Sequence, residues 1–465
     1  MTDPRAKPGF AQLTALAVLA VSIALLVLPA PDGIDPRVMR GAALTLFAMG
    51  FFAAGAMPEF ITGLAFFAAA TLIKVAPADV IFAGWTTKAL WLTVGGLILG
   101  LAVNRTGLGF RLAARLTRLY GPTYAGQTAA MVTVGVALAF VMPSTLGRII
   151  LLMPIAMALA DRLGLGPGRP GRYGLAAAMV WGTWMPSASI LPSNVPNMVL
   201  AGVAENLWNV HITYGEYLAL HFPMVGILKA LLIYAAVRTV FRDRVADGAV
   251  KAMEQPGPMS RDEKILVFIL AATLTFWALD FLHGISSAWI ALAAAVACLL
   301  PGIAIVPAAD FQTKFNTASA IYVAAVLSVA AVIVDTGFGQ YLGGAMASHL
   351  PLEPGETFRN YYALVGLGAA TGMLTTAPGV AAILAPFAQD LATAAGLPIK
   401  SVLLLVVVGY SSVILPYQGP PLVVGIQLAE IPFVQAVRMT LLIAAVTFAV
   451  LVPVNYLWWR FLGYL

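Results

Sequence analysis

The chain has 465 residues, of which 61% are hydrophobic and only 10% charged, and its formal net charge is +6. Soluble domains carry roughly a quarter charged residues, so this composition and a mean hydropathy of +0.91 exclude an ordinary soluble protein and predict a polytopic membrane protein. The single cysteine, Cys298, excludes a disulfide framework, and the basic residues lie in short loops between apolar runs, where they set orientation instead of binding nucleic acid.

Apolar runs near the roughly 20 residues that cross a bilayer as helix recur throughout the chain, so the predicted fold class is all-α. In the first half they lie near residues 10–29, 38–56, 59–76, 85–103 and 217–237. The first run lacks a small-x-small cleavage site and is interpreted as a retained span, with a signal-anchor as the alternative. The stretch NRTGLGFRLAARLTRLYG (104–121) has Arg111, Arg115 and Arg118 on one helical face, which predicts a helix lying in the membrane interface.

Two further segments of the first half are interrupted by helix-breaking residues. The apolar segment at about residues 124–160 is too long for one helix and contains Pro143, Ser144, Thr145 and Gly147, which predicts a re-entrant hairpin. The next span, at about residues 173–207, contains the motif ILPSNVPN (190–197), which predicts a broken helix.

The second half repeats this plan, with spans near residues 264–282, 286–303, 319–334 and 436–457. The stretch VDTGFGQYL (334–342) answers NRTGLGFRL (104–112), and ILAPFAQDLATAAGL (383–397) answers LLMPIAMALADRLGL (151–165). A second re-entrant hairpin at about residues 361–395 holds TTAPG, and a second broken helix at about residues 400–430 holds ILPYQGPP (414–421). Three landmarks that recur in the same order indicate an internal repeat.

The predicted organisation therefore has four parts, with about 11 transmembrane helices plus two re-entrant hairpins. They are an N-terminus with the first transmembrane helix (1–37), a first repeat (38–245), a cytoplasmic linker (246–263) and a second repeat (264–465). Five crossings per repeat require the two repeats to be inverted. Thirteen Lys and Arg lie in residues 105–118, 162–172 and 238–264, whereas the equivalent second-repeat loops, in residues 335–400, hold only Arg359 and Lys400. The positive-inside rule then predicts a cytoplasmic N-terminus in a plasma membrane of the bacterial inner-membrane type.

Breaking a helix inside a membrane is costly, because each backbone amide left without a hydrogen-bond partner in hydrocarbon costs several kcal/mol. Such a break is tolerated only where protein or a water-filled cavity supplies a partner. Two broken helices and two hairpin tips, related by inversion, are the arrangement with which secondary transporters build a midplane site. Free N–H groups at half-helix N-termini suit an anion, whereas carbonyls and hydroxyls suit a small cation. Prolines can also simply kink transmembrane helices, but four paired interruptions favour a binding site.

Four further segments resemble the divalent anion:sodium symporter family, within the wider ion transporter superfamily. They are MPEFITGLAFFAA (57–69), HITYGEYLALHFPMVGI (211–227), EIPFVQAVRMTLL (430–442) and LWWRFLG (457–463). The resemblance covers essentially the whole chain. It implies a homodimer in which a scaffold domain holds the early spans of each repeat, while a transport domain holds the hairpins and broken helices and moves as an elevator.

The resemblance also implies that each hairpin tip carries a Ser-Asn-Thr motif for substrate carboxylate and sodium, completed by the proline-rich loop of a broken helix. Here the first tip reads Ser144, Thr145, Leu146 and the second reads Thr376, Ala377, Pro378, so both lack the Asn. The candidate substrate-binding residues are Ser144, Thr145, Arg148, Ser193, Asn194, Pro196, Asn197, Thr375, Thr376, Gln418, Gly419 and Pro420. A candidate sodium site lies near Ser144, Thr145, Asn194 and Thr376, although the missing side-chain carbonyls reduce its ligand count.

Arg148 offers a different source of positive charge. Its guanidinium can fork onto a carboxylate or sulfate-like oxyanion and supply the charge that sodium supplies in relatives. The alternative is that Arg148 pairs with a structural carboxylate or extends to the interface.

The sequence thus predicts a secondary active transporter for a small divalent anion, most simply a dicarboxylate and otherwise sulfate or a sulfonate. An arsenite-type or other anion permease of the same superfamily and a passive anion channel are the alternatives. No HExxH, GxSxG or P-loop motif points to an enzyme or to ATP drive, and no cofactor is expected. Sodium, protons or a counter-anion remain open as the coupling ion. The acidic and histidine residues considered as proton carriers, most of them near predicted span ends, are Glu59, Asp280, Asp310, Asp335, Asp390, His211, His221, His283 and His349.

Overall fold

The structure is a computed structural model that describes residues 10–31, 33–245 and 257–465. Every regular element in these ranges is a helix, so the all-α prediction is confirmed there. The N-terminal residues 1–9 and residues 246–256 of the predicted linker lie outside the described ranges.

The uninterrupted spans match their predicted positions to within a few residues at each end. Six helices of the described ranges are long and apolar enough to cross a membrane, or seven if one bent pair counts as a span. The number of eleven crossings stays a prediction. The helices outside the interrupted segments are Phe10–Val27, Pro36–Ala54, Glu59–Leu72, Lys88–Thr106, Leu108–Leu119, Tyr214–Val240, Arg261–Ala278, Ser287–Leu299, Thr317–Asp335, Phe338–His349 and Phe433–Phe461, with short turns of helix at Ala78–Ile81, Asp280–His283 and Ala308–Lys314.

Local sequence signals set many of these helix ends. Ser260 accepts the N–H of Glu263 at 3.1 Å while the Glu263 carboxylate accepts the N–H of Ser260 at 2.7 Å, a capping box that starts the helix Arg261–Ala278. Gly107, with φ of 76°, ends the helix Lys88–Thr106 and turns the chain into the amphipathic helix Leu108–Leu119. Arg111 of that helix holds both carboxylate oxygens of Glu263, at 2.7 and 2.9 Å, and so ties the two elements together.

The first interrupted pair of segments contains four helices. Helix pair 1 consists of Tyr124–Val141 and Thr145–Arg162, separated by the first tip, residues 142–144. Broken helix 1 consists of Pro170–Trp184 and Val195–Trp208, separated by the first break, residues 185–194. The first tip is narrower than expected: Thr145 and Gly147 belong to the second helix, because the Ser144 hydroxyl accepts the N–H of Gly147 and caps that helix.

The second half contains the corresponding elements. Helix pair 2 consists of Thr357–Leu374 and Ala377–Leu384, separated by the second tip, residues 375–376, and continues through a short 3₁₀ turn into Ala388–Ala395. Broken helix 2 consists of Ile399–Ser411 and Pro420–Leu428, separated by the second break, residues 412–419. The chain bends by 117° between Ala377–Ala395 and Ile399–Ser411. A re-entrant course for the two helix pairs and their inverted orientation stay predictions.

The interrupted elements pack across the two halves of the chain. Val195–Trp208 of broken helix 1 packs against Ala377–Leu384 of helix pair 2. In the same way, Pro420–Leu428 of broken helix 2 packs against Thr145–Arg162 of helix pair 1. Each half-helix beyond a break therefore contacts the helix that leaves the opposite tip, and this exchange brings the interruptions together.

Two long helices complete this core. Terminal helix 1, Tyr214–Val240, and terminal helix 2, Phe433–Phe461, pack against each other. Each contains a π-helical segment, Phe222–Leu228 in the first and Thr447–Leu451 in the second. Such wide turns inside α-helices are frequent at functional sites.

Glycine allows helix pair 2 and broken helix 2 to touch backbone to backbone. A Cβ built on Gly409 would lie 2.7 Å from the Cα of Gly368, closer than real Cβ contacts come. Small residues permit this approach between membrane helices.

We therefore expect Gly409→Ala to lower the free energy of unfolding by roughly 1–3 kcal/mol, because the added methyl forces two backbones apart. The matched control is Gly366→Ala in the helix Thr357–Leu374, where an added Cβ meets nothing within 4 Å. Thermal melting of the purified proteins in detergent measures both. Equal melting temperatures for the two variants would contradict the close contact.

Candidate functional site

Arg148 lies one turn inside the helix that leaves the first tip, and its side chain is fully buried, with 0% exposure. One terminal nitrogen donates to the carbonyl of Met142 in the first tip and, at 3.3 Å, to the carbonyl of Ser193 in the first break. The other donates to the Thr145 hydroxyl at 3.0 Å and to the Thr183 carbonyl at 3.4 Å. The guanidinium thus joins the first tip to the first break.

No carboxylate forms an ion pair with Arg148 in the part of the chain that the structure describes. Its Nε has no hydrogen-bond partner there either. The alternatives of a structural carboxylate partner and of extension to the interface therefore do not describe this side chain. A buried cation without a counter-charge is costly, so it indicates a function that needs positive charge at this place.

The first break is held by the side chains of its own motif. The Asn194 side chain accepts the N–H of Asn197 at 3.3 Å and donates to the Ser187 hydroxyl at 3.0 Å. Asn197 donates to the carbonyls of Ser187, at 3.2 Å, and Ile190, at 2.8 Å. These amides replace the helical partners that the interruption removes. Ser193 is buried, and its hydroxyl has no partner among the described residues.

The second break is satisfied in a comparable way. The Gln418 side-chain oxygen accepts the N–H groups of Ile414 and Leu415, each at 2.7 Å. Gly419 has no side chain where the ring of Trp184 packs, since a Cβ there would lie 2.6 Å from the ring. Pro420 then begins the second half of broken helix 2. Gln418 and Gly419 thus first serve the local backbone and its packing.

The second tip carries two hydroxyl groups that lie in the protein interior. Thr375 has an extended backbone and Thr376 precedes the helix Ala377–Leu384. Both side-chain hydroxyls are buried and without a hydrogen-bond partner in the described ranges. Gly379 makes room for one of them, because a Cβ there would lie 2.3 Å from the Thr375 hydroxyl. These hydroxyls remain available for a ligand.

Direct contacts join the four interruptions into one cluster. Arg148 links the first tip to the first break, and Trp184 against Gly419 links the first break to the second. The Tyr410 hydroxyl, next to the second break, donates to the side-chain oxygen of Asn197 at 2.6 Å. The Tyr417 hydroxyl donates at 2.6 Å to the carbonyl of Met373, beside the second tip.

The structure therefore brings the predicted site segments together, although many of their polar atoms form hydrogen bonds within the protein. The sequence did not single out Tyr410, Trp184 or Tyr217, whose hydroxyl donates to the Ala188 carbonyl at 2.7 Å. All three are aromatic residues within apolar runs. Their position directly before a break was the only available signal for Tyr410 and Trp184.

The oxygen atoms proposed for sodium at the first tip and first break already accept hydrogen bonds, and the sodium site stays a prediction. The hydroxyl of Ser144 already accepts a backbone N–H, the hydroxyl of Thr145 accepts from Arg148, and the Asn194 oxygen accepts from Asn197. A cation placed among them would meet the guanidinium at hydrogen-bond distance from Thr145. Of the four residues proposed for sodium, Thr376 alone keeps an unpartnered hydroxyl.

Comparison with known families gives one match that spans the described chain. A family model described as the sodium:sulfate symporter transmembrane region matches residues 10–465. The chain is similar to a membrane protein of Cupriavidus necator, with 23% identity over 96% of this chain and 92% of that one. It is also similar to the citrate/succinate antiporter of Escherichia coli (strain K12), with 22% identity over 72% and 74%. The chloroplastic dicarboxylate transporter 2.2 of Arabidopsis thaliana is 24% identical over 63% of this chain but only 56% of its own length.

Solved structures of two transporters share the fold. The Alcanivorax borkumensis YdaH transporter superposes with a TM-score of 0.57 at 19% identity, over 82% of this chain and 86% of that one. Neisseria gonorrhoeae MtrF superposes with a TM-score of 0.52 at 15% identity, over 98% and 96%. At these identities the likeness concerns the fold alone.

The contacts of Asn197 predict its role as a structural amide. Asn197→Leu should lower the free energy of unfolding by roughly 2–4 kcal/mol, because it leaves buried carbonyls and the Tyr410 hydroxyl unpaired. Tyr410→Phe removes the hydrogen bond to Asn197 and a longer one, of 3.5 Å, with the Tyr217 hydroxyl, and should cost about 0.5–1.5 kcal/mol. Thermal melting compares the two variants. An unchanged melting temperature for Asn197→Leu would instead favour a direct substrate contact.

Proposed function

We propose a transport function from one premise: the chain belongs to the divalent anion:sodium symporter family, whose sodium:sulfate symporter transmembrane model matches residues 10–465. The protein is a secondary active transporter that carries a small dicarboxylate across the membrane. It holds the substrate where the two tips and two breaks meet.

One observation carries this proposal: the four interruptions form a single cluster, and its first tip and first break hold a fully buried guanidinium that has no carboxylate partner among the described residues. Four helices, beginning at Thr145, Val195, Ala377 and Pro420, have their N-termini at these interruptions. Helix N-termini carry partial positive charge and free N–H groups, so together with Arg148 they favour a negatively charged solute.

The names of similar proteins support a dicarboxylate over sulfate or a sulfonate. Relatives are named as transporters or antiporters of dicarboxylates, malate, citrate, succinate and tartrate. Two planar carboxylates also suit a site that offers unpartnered hydroxyls at Ser193, Thr375 and Thr376 and positive charge at Arg148.

The remaining parts of the proposal rest on family membership. We expect a homodimer in the bacterial inner membrane with a cytoplasmic N-terminus, and an elevator movement of the core that contains both helix pairs and both broken helices. The cross-packing of Val195–Trp208 and Pro420–Leu428 supports movement of this core as one body, since each half-helix is anchored in the opposite half of the chain.

Counterflow tests the transport proposal. Proteoliposomes loaded with unlabelled succinate should transiently accumulate labelled succinate above its equilibrium level, because a carrier exchanges solutes that compete for one site. Citrate, malate, tartrate and sulfate inside the vesicles rank the substrates, and replacing sodium by choline tests sodium coupling. Equilibration without an overshoot would indicate a passive channel. Absence of any flux of these anions would refute the proposed substrate class.

The charge of Arg148 gives a second prediction. Arg148→Met should weaken succinate binding by at least about tenfold, equivalent to 1.4 kcal/mol, because it removes the buried positive charge. Arg148→Lys should retain part of the affinity, since it keeps the charge but loses the forked contacts. The rise in melting temperature with added succinate measures the affinity of each variant. Arg115→Met, a change at an exposed residue, is the control. Unaltered succinate affinity in a folded Arg148→Met protein would eliminate the role.

A further inference from the structure

A second buried cation, Lys229, lies where the two terminal helices meet. Its side chain is 2% exposed. The amine donates to the hydroxyl of Thr447 at 2.8 Å. An ammonium has three donors, and no carboxylate pairs with Lys229 in the described ranges. Lys229 is not among the candidates that the sequence predicts, although an ionisable group inside an apolar span is expected to be functional.

The backbone around this contact is unusual on both sides. The π-helical segment Phe222–Leu228 ends directly before Lys229, and the π-helical segment Thr447–Leu451 begins with its partner. One hydrogen bond therefore connects the irregular turns of both terminal helices. Since π-helical turns are rare and concentrate at functional sites, their meeting at an ionisable side chain is a second observation that points to a site.

A small cavity adjoins the amine. Its volume is about 10 Å³, close to what one water molecule requires. Lys229, Ser411, Ser412 and Asn455 surround it, but the surface that faces the cavity is apolar. The carboxamide of Asn455 is buried, and neither its oxygen nor its nitrogen has a hydrogen-bond partner in the described part of the chain. A carboxamide can accept from an ammonium or donate to a neutral amine, so the chemistry of Asn455 suits both protonation states of Lys229.

No other titratable group lines this cavity. On the elements packed around Lys229 the titratable groups include Tyr124, Arg172, Tyr410, Arg438 and Tyr456, and His221 precedes it on its own helix. None of them contributes to the walls of the cavity. Lys229 is therefore the titratable residue of the cavity wall, and the hydroxyl of Tyr361 approaches the wall through Asn455.

The cavity adjoins the second break, and the π-helical turn beside it packs against the first break. Ser411 and Ser412 stand at the entrance to the second break. On the other side, a Cβ at Gly226 would lie 2.9 Å from the hydroxyl of Ser189, so the π-helical turn before Lys229 packs against the first break. Lys229 is thus one packing layer from both breaks of the candidate substrate site.

We propose that Lys229, with Thr447 and Asn455, is the proton-binding site that couples anion transport to protons. This inference rests on the proposed transport function and names its coupling ion. The amine lone pair takes a proton from the aqueous phase on one side of the membrane, and the N–H bond breaks to release that proton on the other side. The bound proton offsets one charge of the dicarboxylate during the crossing.

The test uses full-length protein in proteoliposomes with labelled succinate as the probe. The wild-type protein should accumulate succinate in response to an inward proton gradient, and a pH-sensitive dye should report proton entry with it. Lys229→Met should reduce gradient-driven accumulation by at least about tenfold, with a clearly smaller loss of succinate exchange at equal pH. Lys229→Arg should behave like Lys229→Met, because an arginine cannot release its proton in a protein.

Controls separate coupling from folding and from the transport proposal. Lys264→Met, at an exposed position, should retain gradient-driven uptake. If Lys229→Met fails to fold, Thr447→Val removes only the hydroxyl partner and should shift the pH at which uptake is half-maximal.

Three results would overturn the inference. They are proton-driven accumulation retained by Lys229→Arg, an unshifted pH profile for Thr447→Val, and succinate counterflow without proton flux in the wild-type protein. The last of these would leave the transport function standing, whereas absence of counterflow would refute that function first.

Discussion

The fold depends on one constraint: backbone groups released from a helix inside a membrane must find partners within the protein. Four interruptions release such groups here. The side chains of Asn194, Asn197 and Gln418 replace much of the lost helical bonding at the breaks, and Ser144 caps the helix after the first tip. Because these amides and hydroxyls must be shielded from lipid, the interruptions are gathered in the interior. The polar centre of the protein is thus a consequence of breaking helices where no water is available.

That constraint also explains which features of the site could be predicted from the sequence. The positions of the interruptions followed from proline, glycine and polar residues in apolar runs, and their recurrence in order predicted which segments correspond. Family membership followed from short segments and was confirmed by the match over residues 10–465. The use of each polar atom could not be predicted. The side-chain amides of Asn197 and Gln418 could bind a ligand, but in the structure they form hydrogen bonds with nearby backbone groups. Only the coordinates distinguish a ligand-binding amide from one that stabilises the backbone.

Residues that join distant segments were harder still to find. Tyr410 meets Asn197 and Trp184 meets Gly419 because half-helices pack across the two halves of the chain, and single-sequence patterns do not encode such pairs. Lys229 differs from these, because a lysine within the apolar run at residues 217–237 is visible in the sequence. It was not predicted as a proton carrier, because the candidates were limited to acidic and histidine residues, most of them near span ends. A search for proton carriers in membrane spans should therefore include every buried amine.

Arg148 and Lys229 are both buried cations without a carboxylate partner in the described ranges, but their surroundings assign them different work. The guanidinium of Arg148 donates to four oxygens that belong to the first tip, broken helix 1 and its break, so its charge is fixed by geometry as well as by its chemistry. The amine of Lys229 has one hydroxyl partner, and the carboxamide of Asn455 lines the same water-sized cavity. A charge held by four bonds suits constant attraction of an anion. A charge held by one bond suits exchange, because its loss leaves few donors and acceptors unpaired. The core then has a permanent positive charge on Arg148 and a second positive charge on Lys229 that is present only when the amine is protonated. Together these charges can balance a dianion only while Lys229 holds its proton.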